Sequence, residues 1–110
     1  MPRCYYNKLV RDRIPTLISK KGCSCRVRRL TAAAYPRALK AKIREEADEL
    51  STARGKAQLL NELIDLQELV DAYRAVLGIG EKSFRGLVRR KRRMRGGFSE
   101  RLFLEYTEEP

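Results

Sequence analysis

A chain of 110 residues, 43% hydrophobic and 35% charged, is one domain with enough apolar material for a packed interior, so its high charge does not imply disorder. It has no histidine, which excludes Ser-His and Cys-His nucleophilic dyads, and three cysteines alone leave a structural zinc site without a full ligand set, so hydrolysis must use carboxylates, lysines or a metal-bound water. Its 25 basic and 14 acidic residues give a net charge of +11, which suits phosphate-rich ligands.

Residues 1–14 are polar and mixed, with Leu9, Val10 and Ile14 as apolar anchors and no signal-peptide-like stretch. No segment approaches the roughly 20 apolar residues that span a bilayer. A cytoplasmic protein is expected, with Cys4, Cys23 and Cys25 reduced and no membrane partner.

Ile14-Pro15 marks a boundary, because proline disfavours helix at the residue before it and suits a first helical turn. A short helix over about 15–21, stopped by Gly22, follows. Residues 24–30 alternate like a half-exposed strand. Thr31 is a candidate N-cap for a long helix to about Ala53, its regular part beginning at Tyr35 because Pro36 suits only the first turn. After Gly55 a second long helix covers about 56–77, closed by Gly78-Ile79-Gly80. A third covers about 81–95, and Gly96-Gly97 breaks it. Residues 98–106 read as a strand that pairs with 24–30. The expected fold is mainly α, a helical hairpin or bundle with a short two-stranded β element, forming a single domain over 1–110.

The chemistry lies in the hairpin. Glu46 and Glu49 are followed, after twelve residues (50–61), by Glu62 and Asp65. Each pair has i, i+3 spacing and so lies on one helix face about one turn apart. Counted from Gly55, Glu49 should stand level with Glu62 and Glu46 with Asp65. Glu45 and Asp48 should point away.

The apolar stripes are expected to be Leu39, Ile43, Ala47 and Leu50 on the first helix. On the second they are Leu59, Leu63, Leu66, Val70, Tyr73 and Leu77, with Glu62 inside the arc. Carboxylates set among apolar positions cost several kcal/mol unless neutralised, and four together repel. A hard divalent ion relieves both, and Mg²⁺ takes carboxylate oxygens while accepting substrate phosphates; Mn²⁺ is the alternative ion. The competing reading of the same residues is a solvated helix face with ordinary salt bridges. The stripes exceed what one hairpin can cover, so a homodimer or higher homo-oligomer is expected.

The pattern Lys42-Ile43-x-Glu45-Glu46-x-x-Glu49, then Glu62-x-x-Asp65, resembles the metal-binding motif of the all-α nucleoside triphosphate pyrophosphatases, a superfamily that includes MazG-like proteins, dimeric dUTPases and phosphoribosyl-ATP pyrophosphohydrolases. The segments Tyr6-Asn7-Lys8-Leu9-Val10-Arg11-Asp12-Arg13-Ile14-Pro15 and Lys91-x-x-x-Arg95-Gly96-Gly97-Phe98 are similar to the two ends of one subgroup. Its members are described as phosphoribosyl-ATP pyrophosphohydrolase-like, or as predicted house-cleaning pyrophosphatases of non-standard nucleotides. The resemblance runs from about Tyr6 to Tyr106.

It implies hydrolysis of a nucleoside triphosphate between its α and β phosphates, giving a monophosphate and pyrophosphate. It further implies Mg²⁺ held by Glu46, Glu49, Glu62 and Asp65, with Glu49, or else Glu46, as base for the attacking water. Lys8, Arg11, Lys91 and Arg95 are the candidate triphosphate-binding cations. The third helix is more arginine-rich than the pattern: Arg89 to Arg95 has six basic residues in seven. That run supports an alternative reading as a basic nucleic-acid-binding module.

Overall fold

The computed structural model describes residues 2–110. It contains four helices: α1 (Ile14–Lys20), α2 (Tyr35–Thr52), α3 (Lys56–Val76) and α4 (Glu81–Arg95). α2 packs along α3, and α4 packs on α3 alone among the helices.

Local chemistry sets each boundary. Pro15 stands in the first turn of α1 and Pro36 in that of α2, where the missing N–H is harmless. The Thr31 hydroxyl accepts the Ala34 N–H at 3.1 Å, so Thr31 closes the turn leading into α2 rather than capping the helix itself. Between α2 and α3 lie three residues, Ala53 to Gly55, a connection short enough to force an antiparallel hairpin. Gly55 adopts φ +79°, open to glycine and strained for other residues. The Gln58 side chain reaches back to accept the Arg54 N–H at 2.9 Å, fixing the entry to α3.

At the far end of α3, Gly78 (φ +73°) donates to Ala75 O and Ile79 donates to Arg74 O. These are the two bonds of a Schellman motif. Arg74 then donates to Ile79 O at 2.7 Å, tying the corner before α4.

The seam between α2 and α3 keeps Leu39, Ile43, Leu50, Glu62, Leu66 and Tyr73 of the one expected and departs from it elsewhere. On α2 it runs Leu39, Ile43, Glu46, Leu50, while Ala47 is exposed. On α3 it runs Glu62, Leu66, Leu69, Tyr73, while Leu59, Leu63, Val70 and Leu77 face outward. Both sets step by four, three and four residues, the spacing of a left-handed helical seam. α3 is apolar nearly all round, so its hydrophobic pattern points in no single direction.

The two-stranded β element does not form: among the described residues there is no strand. A lone two-stranded ribbon is marginal in water, and neither 24–30 nor 98–106 has an apolar surface beneath it. The side chains of 98–106 stand open, Phe98 at 96% exposure.

Leu39 is the one buried hydrophobic residue among those described. The radius of gyration is 18.8 Å and the principal extents are 67 × 34 × 26 Å. A compact chain of this length would have a radius near ~13 Å. No helix is long and apolar enough to cross a membrane.

Candidate functional site

Among the described residues, two of the three that are buried are acids. Glu46 is 6% exposed and Glu62 7%, each facing the other helix across the seam. With Asp65 they bring one carboxylate oxygen apiece to within 4.8 Å of one another. A second trio, Glu45, Glu46 and Glu49, meets the same criterion along α2 and shares Glu46. Five carboxylates thus form two overlapping groups, with Glu46 as the hinge member and Glu49 exposed at the rim.

Sequence counting put Glu46 level with Asp65 and left it out of the apolar stripe. The structure sets it in the middle of the seam, beside both Glu62 and Asp65. Glu45 does not point away: it is half-buried and ion-paired.

Three cations surround the acids. Lys42, one turn before them, lies 3.4 Å from Glu45 and 3.6 Å from Glu46. Arg11 donates to Asp65 at 2.8 Å, and Lys8 donates to Glu45 at 3.2 Å. Both come from the arm ahead of α1, which turns at Asn7 with φ +47°. The structure therefore brings Lys8 and Arg11 to the acids. It does not bring Lys91 or Arg95 to them: both stand on α4, which does not touch α2, and neither pairs with any of the acids. Sequence reasoning missed Lys42, although its i+3 and i+4 spacing to Glu45 and Glu46 is a readable signal.

Neutralisation is incomplete. Glu46 Oε2 and Glu62 Oε2 are buried and have no hydrogen-bond partner. Burial pushes the Glu46 carboxyl above its ordinary range, and the neighbouring Glu62 carboxylate adds to the rise; Glu49 and Lys42 oppose it. Glu45 moves the other way. Burial would raise it, but its bonds to Lys8 and its pairing with Lys42 hold it below the usual range.

A folded-state pKa above the unfolded one gives stability that is complete below the unfolded value and lost as pH rises through the folded one. From Glu46, the protein freed of divalent ions should therefore resist urea better at pH 5 than at pH 7. Glu45 contributes with the opposite sign and loses its share only at lower pH, through its depressed folded value. A urea midpoint in EDTA that falls steadily from pH 7 to pH 5 would contradict the assignment.

The donor set fits a hard divalent cation. Oxygens around one six-coordinate Mg²⁺, each ~2.1 Å from the ion, lie at most ~4.2 Å apart. The three oxygens, within 4.8 Å of one another, are close enough for one ion to draw all three together.

No protein-family model, curated protein or solved structure matches the chain.

Proposed function

We propose that this chain is a Mg²⁺-dependent nucleoside triphosphate pyrophosphatase, cleaving between the α and β phosphates to release a nucleoside monophosphate and pyrophosphate, with Mn²⁺ as a substitute ion. The observation that supports this best is the pair of buried, unpartnered carboxylate oxygens on Glu46 and Glu62, converging with Asp65. Orphaned anionic oxygens in a helix seam are costly to keep, and a bound cation removes that cost.

In this reading Glu46, Glu62 and Asp65 hold the ion from both helices, and Glu49 closes the set from the rim. Mg²⁺ bound there supplies positive charge against the triphosphate and the charge that develops on it. Glu49, open to solvent, is placed to take the proton of the attacking water, and Glu46 is the alternative base. Arg11 and Lys8 stand at the acids already. They exchange carboxylate for phosphate as the substrate enters, Arg11 offering a forked pair of donors. Lys91 and Arg95 enter as further phosphate cations only where α4 closes toward the acids.

We read the working form as a homodimer or higher homo-oligomer in the cytoplasm, in keeping with three free, exposed cysteines. One buried hydrophobic residue cannot hold a domain of this size, while Leu59, Leu60, Leu63 and Ile64 form an open apolar face on the first half of α3.

The test is a panel of standard and modified nucleoside triphosphates, with pyrophosphate release followed in Mg²⁺, in Mn²⁺ and in EDTA. Release is expected with at least one substrate and only with the metal. Silence across the panel, or equal rates in EDTA, would sink the reading.

A further inference from the structure

The basic residues of α4 are not spread evenly round the helix. At about 100° per residue, Lys82, Arg85, Arg89, Arg92 and Arg93 fall within an arc of about 100°. Phe84 and Val88 lie outside that arc, and with Arg85, Arg89 and Arg92 of the row they line a groove of about 570 Å³ against α3 that also holds Asp71 and Glu81. Arg90, Lys91 and Arg95 lie outside it as well.

All five residues of the row are exposed. Two acids share the groove with them: Glu81 is taken by Arg85 and Asp71 by Arg74. Among the described residues, Lys82, Arg89, Arg92 and Arg93 have no ion-pair partner. Like charges stacked at helical spacing repel, so the row gains when a polyanion lies along it.

The length of the row selects the polyanion. From Lys82 to Arg93 the helix rises about 17 Å. A duplex carries about one phosphate charge per 1.7 Å of its axis, both strands counted, so a row of this length faces several of them. A helix lying on a membrane surface needs a broad apolar face opposite its charges. Here that side offers only Leu87 and Met94 as exposed apolar residues. The row also has no aromatic side chain to stack on bases and no Asn or Gln to read their edges.

We infer that α4 binds the phosphate backbone of nucleic acid, without sequence preference, through Lys82, Arg85, Arg89, Arg92 and Arg93. The row lies apart from the acidic residues, and the inference stands whether or not these hold a metal. Arginine suits the task because its fork grips two phosphate oxygens at once.

Anisotropy titrations of the full chain against labelled 20-mer duplex DNA, duplex RNA and single strands, over 50 to 200 mM salt, provide the test. With four to five contacts on duplex DNA, log K should fall against log salt with a slope of about −4, or on the order of 10²-fold across that range. Arg89→Gln with Arg92→Gln should flatten the slope by about two units. Lys91→Gln with Arg95→Gln, the same charge change off the row, should flatten it less. Changing the sequence of the probe should alter nothing, and the arms separate DNA from RNA. Absence of binding at 50 mM salt overturns the inference, as does tighter binding to phosphatidylserine vesicles than to any nucleic acid. An equal loss from both double variants overturns the assignment to this row. Circular dichroism checks that each variant is folded, and the slope of the parent chain stands as a test without any variant.

Discussion

Glu62→Gln is expected to lower metal-dependent pyrophosphate release by about a hundredfold, which corresponds to about 3 kcal/mol of lost stabilisation. In the same protein the metal-free fold should become no less stable. The two effects have one origin. Glu62 is buried, its Oε2 has no partner, and it stands beside a second buried carboxylate, Glu46. Removing its charge relieves repulsion and desolvation in the empty seam, yet deletes a hard oxygen ligand where the cation belongs.

An ordinary structural glutamate behaves otherwise, since losing a satisfied buried charge destabilises. The measurement is paired: thermal unfolding in EDTA and in Mg²⁺, beside turnover. Parent protein should gain stability from Mg²⁺ and the variant should gain little. Turnover at the parent rate in Glu62→Gln, or no Mg²⁺-dependent shift in the parent, would remove the metal from the argument.

The second large effect is expected on α3. Leu63 and Ile64 are 52% and 55% exposed in the single chain. If they were plain surface residues, changing both to aspartate would alter stability by only about half a kcal/mol each way. If a second copy covers them, each buried side chain contributes about 1.5–3 kcal/mol per protomer. Leu63→Asp with Ile64→Asp should then dissociate the assembly at micromolar concentration and lower the melting temperature sharply. Sedimentation of parent and variant decides between the two. A parent that sediments as a monomer, with a variant equally stable, would overturn the oligomeric reading.

How much of this was legible in the sequence depends on the range of the interaction that fixes it. The helices follow from prolines at the starts of α1 and α2 and glycines that bound the rest, all local signals, and α4 occupies the expected residues 81–95. The meeting of Glu46, Glu62 and Asp65 was readable too, because i, i+3 spacing and a short hairpin are also local; Glu49, expected level with Glu62, groups only with Glu45 and Glu46 along α2. Their orientation was less so. Ala47 looks like the better seam residue by hydrophobicity, yet Glu46 occupies the seam; Glu62 fell inside its apolar arc, whereas Glu46 did not. On α3 the apolar residues surround the helix, so the choice of Leu69 over Leu59 and Leu63 rests on how α2 lies against it.

Contacts made by the N-terminal arm are farther out of reach. Lys8 meets Glu45 across 37 positions and Arg11 meets Asp65 across 54. Nothing periodic links such pairs. The strand expectation failed for a related reason: alternation describes a residue's two sides, but a strand exists only when another chain segment supplies its ladder.

The three-residue link between α2 and α3 carries one more consequence. Because it leaves no slack, the phase of one helix is locked to the other, like two gears sharing a pinned axle. Inserting a single alanine between Glu49 and the end of α2 would turn every earlier residue by about 100° and carry Glu46 away from Glu62 and Asp65. Indels inside the hairpin therefore disarm the cluster without touching an acid, whereas the same change after Gly96 leaves it intact.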